Sequence, residues 1–274
     1  MTARPPFLLL AYSMKRMRTL LLTMGVLLCA FQILMVAVAR SVERSGAFAQ
    51  LSALIPPFAR ELLGPSIAMF MSFAGIACLG YFHVAVMGAL VGLSIAVATV
   101  PASEVEIGFM DLILSRPLAR HWIITRSVVA AILSIAFVLG LMMLGTWIGL
   151  ATLAPADAVR PSVHLIGSLA LNLGLLMLCW SAVALAIAAA ARRRSVAGAS
   201  AGVLALAAFL LDYLGRLWQP VESLAKLSPF RYFSPFDLIV GGRLPMKNVA
   251  VLLGITLAGF LAAYVLFSRR DISH

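Results

Sequence analysis

Charge is what this 274-residue chain has least of: Asp, Glu, Lys and Arg make up 11% of it, against 63% hydrophobic residues and a mean hydropathy of +1.06. From Leu62 to Ser103 none of the four occurs, a run of 42 residues. Such a composition excludes a soluble globular domain and puts the backbone in lipid. Only helices and closed barrels satisfy all their backbone hydrogen bonds there. The apolar runs are about twenty residues long and continuous rather than alternating, which selects helices. No stretch is polar enough and long enough for a separate catalytic domain.

Catalytic signatures are missing as well. The only lysines are Lys15, Lys226 and Lys247, and none follows a glycine, so there is no G-x-x-x-x-G-K-[ST] phosphate loop. There is no H-E-x-x-H zinc helix. Gly198-Ala199-Ser200-Ala201-Gly202 has the letters of a nucleophile elbow, but it lies inside an apolar span without the strand-to-helix setting that motif needs. Cys29, Cys78 and Cys179 all sit in apolar runs, where they act as small hydrophobes. Among ionisable residues within the spans, His83 reads as an interfacial or packing histidine and Asp212 as an interface residue, neither with an evident partner. A proton- or sodium-coupled transporter needs such groups at mid-membrane.

What is present is an ordered set of spans. Charge-free runs predict crossings near Thr19–Ala39, Gly80–Val100, Trp122–Leu150, Leu165–Ala191, Ser195–Leu214 and Asn248–Phe267, with 65–79 as an apolar segment on the outer side. The first run is 21 residues, longer than a signal-peptide core, and predicts a retained anchor. Basic residues gather at the ends of the runs. Twelve fall on the side of the two termini and nine on the other, which orients termini and Arg192–Arg194 toward the cytoplasm. The formal charge of +11 therefore reflects topology and not nucleic-acid binding. Arg126, one turn inside the third span, is expected to snorkel to the interface. Gly88-x-x-x-Gly92 and Gly198-x-x-x-Gly202 are small-residue pairs of the kind that lets helices approach closely.

Between the second and third spans, residues 101–120 break the apolar pattern with Glu104, Glu106, Asp111, Arg116 and Arg120. Phe109, Leu112 and Ile113 keep an apolar stripe through this polar connector. A solvated loop needs no stripe, whereas a helix that docks in a partner groove does, with rim charges fixing its register. Residues 5–18, which mix apolar bulk with Lys15, Arg16 and Arg18, suit a helix lying in the interface before the first span.

Three separated pieces resemble the membrane subunits of type-2 ABC exporters. They are Lys15-Arg16-Met17-Arg18, the connector, and the closing pair Leu227–Pro235 and Phe267–Ile272. In the connector, Glu104, Glu106, Gly108, Asp111, Leu112, Leu114, Ser115, Arg116, Pro117 and Arg120 fall on the family's E-x-E-x-G-T-x-E-x-L-L-S-R-P-x-x-R positions. Phe109 replaces the usual threonine and Asp111 the commoner glutamate. The resemblance implies an all-α integral membrane fold over 1–274, a single permease domain of six transmembrane helices. Residues 5–18 would form the interfacial connecting helix, 101–120 the cytoplasmic coupling segment, and 215–247 an external loop. It further implies a multi-pass cell-membrane protein that pairs with a second permease copy or homologue and with two copies of an ATPase subunit. That subunit would bind ATP and Mg, leaving this chain with no cofactor and no enzymatic activity. Glu104, Glu106, Gly108, Phe109, Asp111, Leu112, Ile113, Ser115, Arg116, Pro117 and Arg120 would couple the two. The charge-poor interior suits a hydrophobic or amphiphilic cargo. The alternative, with which low buried charge is also compatible, is an ATP-independent channel, a lipid-handling protein or an assembly scaffold.

Overall fold

The computed structural model describes residues 5–46, 72–108, 121–241 and 243–269, with 5–8 as backbone only. The fold is all-α. Among the described residues six helical stretches are long and apolar enough to cross a membrane: Leu9–Arg44, Phe73–Ala98, His121–Leu153, Val163–Ala190, Arg194–Leu217 and Met246–Ser268. The chain is a multi-pass membrane protein.

Helix α1 runs without interruption from Pro5 to Arg44. The expected boundary between an interfacial helix at 5–18 and the first span is therefore absent. Nothing between Met14 and Thr19 breaks a helix, and the basic residues Lys15, Arg16 and Arg18 are exposed without bending it. α1 ends where Gly46 takes a φ of +66° and its N–H bonds back to the Glu43 carbonyl at 3.2 Å, a left-handed cap that glycine adopts without steric cost.

The second span starts earlier than the hydropathy pattern suggests. Ser72 caps α2 (Phe73–Cys78) by accepting from the Gly75 N–H at 3.2 Å. A 3-10 turn at Leu79–Tyr81 and a break at Phe82–His83 follow. Residues 73–79 thus belong to the second candidate span, and not to a separate outer segment. The His83 Nδ1 accepts from the Ala85 N–H at 3.3 Å and opens α3 (Val84–Ala98). Thr99 and Pro101 offset the next helix, α4 (Val100–Glu106), since proline fits a first turn but not a helix interior.

The remaining helices are α5 (His121–Leu153), α6 (Val163–Ala190), α7 (Arg194–Leu217), the short α8 (Glu222–Ala225) and α9 (Pro235–Ile239), and α10 (Met246–Ser268). α6 is the central post. Of its most apolar stretch 72% is buried, against 22% in α7 and 17% in α10. Trp180, Leu173 and Leu176 on α6 are wholly enclosed.

Close packing comes from glycines other than the two pairs noted in the sequence. Gly25 on α1 faces Leu141 on α5, and Gly145 and Gly149 on α5 lie against Cys29 and Val36 on α1, so the two helices run side by side in the same direction. A Cβ at Gly145 would come within 2.8 Å of the Cys29 Cα. Beside this seam, Gln32 Nε2 donates to Thr146 Oγ1 at 3.0 Å, and the Tyr81 hydroxyl lies 2.9 Å from the same oxygen. All three side chains are fully buried, so α1, α5 and the start of the second span share one polar node. By contrast, Gly88, Gly92, Gly198 and Gly202 have open space where a Cβ would stand.

Described residues of 215–247 pack against the bundle. α7 continues to Leu217, and the chain then folds back into the bundle. The Ser228 hydroxyl donates to the Ala208 carbonyl at 2.7 Å, and the Phe230 ring stands 5.5 Å from both Trp180 and Phe209. Phe230, Phe233, Leu238 and Ile239 are buried. Apolar side chains of this number leave water, and Pro229 and Pro235 start the short turns that let them do so.

The α1–α5 seam makes a direct prediction. Gly145→Leu forces a branched side chain into backbone and lowers stability by roughly 1–3 kcal/mol, whereas Gly88→Ala, at an open position, changes it by less than about 1 kcal/mol. Denaturant titration of both variants in detergent checks the contrast.

Candidate functional site

The sequence elements with chemical character meet at one end of the bundle, where Glu104, Glu106, Arg126, Arg194 and the basic residues of α1 come together. α4 carries Glu104 inward and Glu106 outward, because residues two apart on a helix face different ways. Glu104 is 1% exposed and Arg126 4%. Arg126 Nη2 donates to Glu104 Oε2 in a buried ion pair. Arg126 therefore does not snorkel, and Glu104 is no solvated rim charge. Each supplies the counter-charge that makes burial of the other tolerable.

Glu106 is exposed and acts differently. Its Oε2 accepts the backbone N–H of Arg194 at 2.9 Å. α7 has Arg193 at its N-cap position with no side-chain cap of its own. A carboxylate from α4 thus caps α7, meeting both the orphan donor and the positive end of the helix dipole. The Arg194 guanidinium returns the contact by donating to the Ala96 carbonyl at 3.1 Å, where α3 ends. Four elements are tied at this point: α3, α4, α5 and α7.

Gly108 closes α4 with a φ of +69°, and its N–H bonds to the Val105 carbonyl at 3.1 Å. Nothing stands within 4 Å of a Cβ placed there. Glycine at 108 answers to backbone conformation and not to a close approach. Phe109, Asp111, Leu112, Ile113, Ser115, Arg116, Pro117 and Arg120 lie outside the described residues. Lys15, Arg16 and Arg18 are exposed on α1, and Arg16 reaches the same region as Glu104 and Arg194.

Farther along the spans, an apolar cavity of about 350 Å³ opens between α3 and α7. Val84, Met87, Gly88 and Val91 form one wall, Gly202 and Leu206 the other, and Phe230 closes it. Such a surface accepts hydrocarbon and offers no hydrogen-bonding specificity. At the far end of α7, Asp212 is buried. It pairs with Arg216 at 2.9 Å and Arg231 at 3.9 Å, and Arg231 also reaches Glu222 at 3.4 Å. Sequence reasoning missed the first partner although Arg216 stands at i+4, the spacing that puts two residues on one helix face. Among the described residues no group of His, Cys, Asp and Glu has the arrangement of a metal site.

Removing one member of the Glu104–Arg126 pair leaves a buried charge alone. Glu104→Gln and Arg126→Gln are each expected to lose about 3–5 kcal/mol of stability. The double variant should recover more than half of the summed loss, read as a coupling free energy in a denaturation cycle. Strictly additive losses would mean that the two side chains do not interact. The chain matches no protein-family model, no curated protein and no solved structure.

Proposed function

We propose that this chain is the membrane-spanning permease subunit of an ATP-driven exporter of the type-2 ABC kind. The observation that supports it most is the closure of the connector. Glu104 stands just before residues 107–120 and Arg126 just after them, and the two form a buried ion pair. Glu106 then ties the same point to the start of α7. A force applied to the connector is delivered to α4, α5 and α7 together. A loop that merely joined two spans would need no such anchorage.

In this reading residues 109–120 dock on a separate ATPase subunit, two copies of which serve two permease chains. ATP and Mg are held by that partner. The termini and Arg192–Arg194 face the cytoplasm of a cell membrane, as the distribution of basic residues favours. The glycine-lined cavity between α3 and α7 faces the second copy and gives a hydrophobic or amphiphilic cargo its path.

Leu112→Asp puts a charge into the apolar stripe and should abolish co-purification of the ATPase, since a buried leucine anchor contributes roughly 1.5–3 kcal/mol before any charge is added. Pull-down of the ATPase beside a transport assay measures it. Unchanged capture and unchanged transport would remove residues 104–120 as the docking element.

A further inference from the structure

A second, polar pocket of about 140 Å³ sits at the basic end of the bundle, between α1, α4 and the start of α7. Its charged lining consists of Arg16, Arg194 and Glu104, and its apolar wall of Met17, Leu20 and Val100. The charges do not cancel. Glu104 is committed to Arg126 inside the bundle, and among the described residues Glu106 accepts the backbone N–H of Arg194 and no side-chain donor. Among the described residues Arg16 has no carboxylate partner. Arg194 gives a side-chain N–H to Ala96 and retains most of its five donors. Two guanidinium groups from different helices therefore border a small pocket in which, among the described residues, the one carboxylate is already paired with Arg126. Arg192 and Arg193 are exposed beside it.

We propose that this pocket binds the phosphate of an anionic phospholipid headgroup. Guanidinium pairs match phosphate geometry through paired hydrogen bonds, and basic pockets between transmembrane helices are suited to anionic headgroups. The apolar wall distinguishes a lipid from a free anion. Met17, Leu20 and Val100 lie directly beside the charged lining, so a molecule with phosphate at one end and hydrocarbon at the other fits both. The site joins α1 to α7 through the lipid, two helices that the protein's own contacts leave far less engaged than α1 with α5. An occupied pocket would hold the Arg194–Glu106 joint in place and make it sensitive to membrane composition.

The test uses the full chain alone, so it is independent of any ATPase partner. Purified protein is reconstituted in phosphatidylcholine nanodiscs with and without phosphatidylglycerol, and retained lipid is counted by native mass spectrometry. Arg16→Gln, which changes an exposed side chain, should lower phosphatidylglycerol retention by about fivefold or more while leaving phosphatidylcholine retention unchanged. Arg193→Gln removes the same charge outside the pocket and should have little effect. Equal losses in the two variants would overturn the site in favour of a diffuse basic surface. Full displacement of phosphatidylglycerol by inorganic phosphate would overturn the lipid assignment in favour of a free-anion site.

Discussion

A carboxylate and a guanidinium withdrawn from water into a medium of low dielectric attract each other strongly, and neither tolerates being left alone there. Glu104 and Arg126 are in that position, and one end of the bundle is arranged around them. Pairing them requires α4 to turn inward after α3, which the step at Thr99 and Pro101 supplies. It requires α5 to begin beside α4, so the connector must leave and return at the same place. Once α4 is fixed, Glu106 is positioned to cap α7, and the start of the fifth span is set by a residue near the end of the second.

The packing above this joint is uneven. α1 with α5, and α6 with α10, meet along glycine contacts in which backbone approaches backbone; Gly259 against Ala182 is the α10 counterpart of Gly145 against Cys29. In lipid such contacts depend on dispersion and fit, since the surrounding chains are as apolar as the side chains themselves. α3 and α7 lack them and leave a cavity. Two tightly joined pairs therefore flank one loosely joined pair. Packing is loosest between α3 and α7, the two helices linked through Glu106 and Arg194.

Much of the architecture was legible because bilayer thickness imposes a length on every apolar run, and the last four of the six spans fall within three residues of their hydropathy limits. The boundaries that moved are those where hydropathy and helicity differ. α1 carries Lys15, Arg16 and Arg18 without breaking, since a basic residue ends an apolar run but not a helix. Residues 73–79 are apolar enough for an outer segment and also for a span, and composition does not choose between them. Partners across the bundle were less visible. Glu104 and Arg126 are 22 positions apart in sequence, outside the range of any helical periodicity, and an acid in a polar connector looks the same whether buried or solvated. Gly145 and Gly149 could have been read as a small-residue pair, as Gly88 and Gly92 were. Only the neighbouring helix decides which pair is used. The buried turn at Phe230 lay among prolines and charges that signal a loop, and its aromatics were the available hint that the loop folds inward.

The polar node shared by Gln32, Tyr81 and Thr146 bears on how the chain is made. Gln32 finds its hydrogen-bond partner on Thr146, 114 residues later. At about 5–20 residues per second, synthesis needs on the order of ten seconds to reach it. During that interval the first helix already has an amide within its apolar stretch and no companion to satisfy it. An unpaired amide in hydrocarbon costs a few kcal/mol, which the many apolar side chains of the span outweigh but which favours any helix that can satisfy it. The contact that fixes the first span against the third therefore forms only after the third has been made, so packing of the bundle follows insertion of its first helix.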